Sequence, residues 1–98
     1  MKISIPKETI RDETRVAATP QSVKELMKAG HEVNIETGAG SSSFISDDHF
    51  KNAGANIVNT TNELFKDSDI IIKVASPTND EIELMPKGSI FISFFQPT

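Results

Sequence analysis

The chain of 98 residues contains no cysteine. That excludes a disulfide framework, a thiol nucleophile and a cysteine-based zinc ribbon. It lacks a long apolar run as well, since nothing approaches the roughly 18 residues a membrane-spanning helix needs. Its start, Met1-Lys2-Ile3-Ser4-Ile5-Pro6, has neither the apolar stretch nor the small-residue cleavage site of a secretory signal. There is no excess of positive charge: the net charge is -4, with acids and bases interspersed, which argues against a nucleic-acid groove. Cytoplasm is the expected location. The 37% apolar and 24% charged fractions fit a folded domain and not a disordered one. One core is all that a chain of this length builds. It is short for an enzyme that must hold both a substrate and a large cofactor.

What is present is a series of short apolar runs alternating with helical segments. Lys2 to Ile5 alternates and reads as a first strand stopped by Pro6. Lys7 to Thr19 reads as a long charged loop whose apolar end, Val16-Ala17-Ala18, is drawn onto the core. Thr19-Pro20 opens a helix, with Val23, Leu26 and Met27 on one face and Gly30 after its end. His31 to Glu36 alternates as a second strand, followed by a turn from Gly38 to Ser43. Ser46-Asp47-Asp48 starts a short helix carrying Phe50 and Ala53, and Asn56 to Val58 is a weak third strand. Thr60 and Glu63 have capping-box spacing ahead of Leu64 and Phe65, and Thr78 and Glu81 repeat it. Between them Ile70-Ile71-Ile72-Lys73-Val74 suits a strand buried on both faces. Ile90 to Phe95 is the fifth strand. The expected fold is α/β: a three-layer, Rossmann-like or flavodoxin-like domain over residues 1–98, with a mostly parallel five-stranded sheet. Such sheets bind ligands outside the carboxyl ends of their strands, so function is sought after Ile5, Ile35, Val58, Val74 and Phe95.

Two cations stand out. Arg15 ends the charged loop just before its apolar anchor, and its planar fork suits a carboxylate or phosphate. Lys73 interrupts an aliphatic strand near its carboxyl end. It either pairs with an acid such as Asp69 or Glu13 or reaches a ligand in the crevice. Gly38-Ala39-Gly40 is read as a flexible turn and not a dinucleotide loop. A third glycine is missing, and no acid lies near Val58 or Asn59 to hold a ribose. His31 and His49 lack metal-ligand spacing. No metal site, serine elbow or acid–base carboxylate pair is visible, and no catalytic residue is assigned.

Longer stretches carry a resemblance. Ile5-Pro6-Lys7-Glu8, Glu13-Thr14-Arg15-Val16-Ala17-Ala18-Thr19-Pro20, Glu36-Thr37-Gly38-Ala39-Gly40, Phe50-Lys51-Asn52-Ala53-Gly54-Ala55 and Ile71-Ile72-Lys73-Val74-Ala75-Ser76-Pro77 span the chain. Together they resemble the N-terminal signature shared by alanine dehydrogenases and the alpha subunits of proton-translocating NAD(P) transhydrogenases. Ser4 and Asp12 depart mildly from a usual glycine and asparagine. In alanine dehydrogenases the residues matching Arg15 and Lys73 bind the carboxyl and carbonyl groups of pyruvate or alanine, and a catalytic histidine follows the fifth strand. Here that place reads Phe94-Phe95-Gln96-Pro97. Glutamine exchanges no proton near neutral pH. Ala75-Ser76-Pro77 and Ser93-Phe94 also look more like the transhydrogenase alpha subunit.

The resemblance therefore implies a part of a transhydrogenase alpha subunit, with Arg15, Lys73 and Gln96 as cleft-lining residues. It implies hydride transfer from NADH to NADP+, with NAD(H) gripped mainly by a second, glycine-rich domain beyond Thr98 and NADP(H) bound on a partner domain. It further implies a homodimer and membrane partner subunits, which would place the protein at the cytoplasmic side of the inner membrane. The alternatives are an alanine dehydrogenase-like oxidoreductase with an altered site and a stand-alone, non-catalytic α/β binding domain.

Overall fold

The computed structural model describes residues 1–8, 16–75 and 77–93, with Ser42 described by its backbone alone. Five strands, β1 (Lys2–Ile5), β2 (Glu32–Glu36), β3 (Asn56–Val58), β4 (Ile70–Lys73) and β5 (Ile90–Ser93), form one sheet in the order β3-β2-β1-β4-β5. Every pairing is parallel. Four helices alternate with them: α1 (Pro20–Lys28), α2 (Asp47–Asn52), α3 (Thr61–Phe65) and α4 (Asn79–Leu84). A single 3-10 turn, Ser41–Ser43, follows β2.

The helix starts follow from their caps. Thr19 and Ser22 cap each other ahead of Pro20, and Ser46 with His49 and Thr78 with Glu81 form the same reciprocal box. At α3 Thr60 accepts from the Glu63 N–H, which gives one half of the box that the spacing there predicts.

Strand periodicity sorts the side chains onto two faces. Ile3, Ile5, Val33 and Ile35 are buried with Val23, Phe50 and Ala53 beneath α1 and α2, and Ile70 and Ile72 pack partly against them. On the opposite face Ile71 is buried with Leu64 and Phe65 from α3, and Phe91 packs against that group. Val16, Ala17 and Ala18 are drawn onto the first core, as their apolar character predicts. Ser4, in the middle of β1, is fully buried; its hydroxyl donates to the Leu64 carbonyl at 2.9 Å and shares a hydrogen bond with Ser68. β1 and β4 are neighbours, but the chain runs from β1 through β2 and β3 on one side and then crosses back to β4 on the other. The topological switch point, where such sheets take ligands, therefore lies between the ends of β1 and β4.

Candidate functional site

The carboxyl ends of the strands are held by acidic side chains that accept hydrogen bonds from neighbouring loops. Glu36, closing β2, takes the Lys7 N–H at 2.9 Å and the Thr61 hydroxyl at 3.0 Å. Glu8, in the loop after β1, spans to the end of β4 and accepts from the N–H groups of Val74 at 3.0 Å and Ala75 at 3.2 Å. That contact ties the loop after β1 to the end of β4 at the switch point. The sequence carries no signal for it, because two backbone donors have no side-chain code.

Lys73 sits beside this contact, with none of its side chain exposed. Its ammonium meets Glu81 Oε1 at 2.6 Å, and the same oxygen accepts the Thr78 N–H at 2.9 Å. The sequence points to Asp69 or Glu13 as a partner; the structure supplies Glu81. Asp69 instead accepts the Lys2 N–H at 2.8 Å, at the opposite end of the sheet. The physical reason is topological: in a parallel sheet the next helix starts at the carboxyl end of the preceding strand, so its N3 acid returns to Lys73. Glu13, Arg15 and Gln96 lie outside the described residues, as do Ser76, Phe94, Phe95 and Pro97.

The turn after β2 does not fit a pyrophosphate. The Gly38 N–H already donates to Asp47 Oδ1 at 2.9 Å, and the chain then enters a 3-10 turn and no long helix. A Cβ on Gly40 would lie 2.7 Å from the Ile45 carbonyl oxygen and 2.7 Å from the Phe50 ring, so this glycine serves internal packing. An open depression of about 470 Å³ lies here, between Thr37, Ser41, Phe44 and Asp47. Its lining includes Asp47 and Asp48 and does not include Lys73. Asp47 is held below the ordinary carboxylate value chiefly by the Thr37 hydroxyl at 2.6 Å, with help from the Gly38 N–H and the charge of Lys51 and against some burial. Among the described residues no three His, Asp or Glu side chains are grouped to hold a metal ion. His49 caps its own helix, with Nδ1 at 3.1 Å from the Ser46 nitrogen, and His31 lies 3.4 Å from the N-terminal amine.

Residues 4–98 match the family model described as the alanine dehydrogenase/PNT N-terminal domain. The chain belongs to that family. Its domain is 44% identical over 94 residues to an alanine dehydrogenase of Mycolicibacterium smegmatis, covering 96% of this chain and 25% of that protein. It is 42% identical over 97 residues to an NAD(P) transhydrogenase subunit alpha of Cereibacter sphaeroides, covering 99% of this chain and 18% of that protein. Among solved structures, an L-alanine dehydrogenase superposes with a TM-score of 0.89 at 35% identity, over 95% of this chain and 26% of that one. A transhydrogenase from Sinorhizobium meliloti gives 0.91 at 35% identity, over 97% and 28%. The chain thus spans a quarter or less of the curated relatives it matches. Those relatives are oxidoreductases, and this is an alanine dehydrogenase/PNT N-terminal domain of an oxidoreductase family.

Proposed function

We propose that this alanine dehydrogenase/PNT domain works as the N-terminal part of the alpha subunit of a proton-translocating NAD(P) transhydrogenase. In that protein a hydride passes from NADH to NADP+, leaving NAD+ and NADPH. The observation that carries the reading is the segment Phe94-Phe95-Gln96-Pro97. Where alanine dehydrogenases have a histidine able to exchange a proton, this chain has an amide that cannot. The transhydrogenase likeness extends over 99% of the chain. NAD(H) is then held mainly by a further, glycine-rich domain, consistent with a turn at Gly38–Gly40 whose Gly38 N–H is already engaged by Asp47. NADP(H) belongs to a partner domain. The subunit forms a homodimer and sits against membrane partners at the cytoplasmic side of the inner membrane; no helix among the described residues is long and apolar enough to cross one. Arg15, Lys73 and Gln96 line the cleft in this reading.

A second reading, an alanine dehydrogenase with an altered site, is favoured by Lys73, whose place at the end of β4 suits a ligand carbonyl or carboxyl oxygen. Assays of the complete protein separate the two. With its membrane partners it is expected to reduce NADP+ at the expense of NADH. Robust oxidation of NADH by pyruvate and ammonia would overturn the transhydrogenase reading in favour of the second.

A further inference from the structure

The ion pair at the end of β4 is built from two elements through one atom. Glu81 is the third residue of α4, and its Oε1 accepts both the Thr78 N–H at 2.9 Å and the Lys73 ammonium at 2.6 Å. Thr78 completes the box by accepting the Glu81 N–H at 3.2 Å. The carboxylate is therefore fixed by the helix start before it meets the lysine. The lysine stem is unbranched and flexible, and in the buried Lys73 the pair with Glu81 fixes where its head lies. An ammonium carries three donors, and among the described residues Glu81 supplies its acceptor. The Glu81 bond uses one of the three. The adjoining strand end is held as well, by Glu8 on the Val74 and Ala75 amides.

We propose that Glu81 is a positioning residue: it anchors the Lys73 ammonium to the first turn of α4 and so aims its remaining donors at a ligand oxygen in the β1–β4 crevice. This rests on the reading that Lys73 faces the cleft. The oxygen is a carbonyl or carboxylate oxygen, which a nicotinamide carboxamide or a 2-oxo acid could each provide. Glutamine at this position would preserve an acceptor for the cap and remove the charge that holds the ammonium, exchanging a charge-assisted bond for a neutral one.

The test uses the complete protein, titrated with NADH alone and with pyruvate in the presence of NAD+, for wild type, Lys73→Gln, Glu81→Gln and Thr78→Ala. Lys73→Gln and Glu81→Gln are each expected to weaken the same ligand by roughly tenfold, and the double variant by little more than either. The responding arm identifies the source of the oxygen. Thr78→Ala loses the cap bond but keeps the ion pair, so it lowers the melting temperature and leaves affinity within about twofold of wild type. If Lys73→Gln weakens neither ligand, the cleft reading fails and the positioning role with it. If Lys73→Gln weakens binding and Glu81→Gln does not, the cleft reading stands and the positioning role is overturned. The positioning role is likewise overturned if Thr78→Ala weakens binding as much as Glu81→Gln, since the loss then runs through the cap. Should Glu81→Gln fail to fold, Glu81→Asp replaces it: the shortened side chain is expected to cost a similar factor, and unimpaired binding would overturn the proposal.

Discussion

A lysine with no exposed surface has given up its hydration, and only a close counter-charge makes its burial tolerable. Breaking such a pair from one side leaves an unmatched charge, whereas removing both partners leaves an apolar space that can be filled. Glu81→Leu alone is therefore expected to cost about 3–5 kcal/mol, and the double variant Lys73→Met/Glu81→Leu to recover most of it. Urea unfolding of wild type, Lys73→Met, Glu81→Leu and the double variant measures this cycle; a double variant whose loss equals the sum of the two single losses would show that the pair is not energetically coupled. Asp47 makes a milder prediction. Its carboxylate is favoured in the folded chain by the Thr37 hydroxyl and the Gly38 N–H, so its folded value lies below that of the unfolded chain. The unfolded state thus binds the proton first. The contribution is fully present above the unfolded aspartate value of about 4 and is lost as pH falls through the folded value. Asp47→Asn is expected to be less stable near neutral pH by about 1 kcal/mol or less and to lose less on acidification. Unfolding midpoints taken from pH 7 downwards check it, and parallel acid limbs in the two proteins would refute it.

Elements begin where local chemistry says they should. Thr19-Pro20, Ser46 with two acids behind it, and Thr78 with Glu81 each encode a helix start in adjacent residues, which is why these boundaries are legible in the sequence. The alternation in β2 and the β-branched run in β4 are equally local. Lys73 is legible as an anomaly for the same reason: it is a charge within an aliphatic strand. Its partner is not, because Glu81 reads as a cap and Asp69 is closer in sequence; the fold makes one carboxylate do both tasks. The Glu8 contact to Val74 and Ala75 joins residues more than sixty positions apart and leaves no trace in spacing. Arg15 and Gln96 stay proposals drawn from the resemblance. The turn after β2 shows a different limit. Gly40 reads as a flexible residue, yet its φ of -95° is open to any side chain, and packing against Ile45 and Phe50 demands the missing Cβ. Gly40→Ala is expected to destabilise by about 2 kcal/mol, since the clash is with backbone and a buried ring. A melting temperature unchanged in the alanine variant would mean that the loop moves freely aside.

Across the whole molecule the two faces of the sheet are unequally covered. α1 and α2 lie over β1, β2 and β3, while α3 and α4 lie on the other face, with Phe91 of β5 packed against the α3 cluster. The β4–β5 half of the first face has no helix of its own among the described residues. In register across it, Ile70 and Ile72 are half-buried, but Ile90 and Ile92 are 54% and 39% exposed. Parallel sheets are normally covered on both faces, so these isoleucines mark an incomplete surface on the outermost strand. An edge strand with exposed β-branched side chains invites association. The isolated 98-residue chain is therefore expected to dimerise or aggregate through β5. Ile90→Lys/Ile92→Lys places charge on that face without touching the Phe91 side of the strand, and should restore a monomer while preserving the melting temperature of the fold. Light scattering during size-exclusion chromatography, run over a range of concentrations, reads both proteins. A monodisperse wild-type monomer at high concentration would count against the exposed face as an association surface. Association that survives the double lysine variant would place it elsewhere, the depression beside the 95% exposed Phe44 being the next surface to alter.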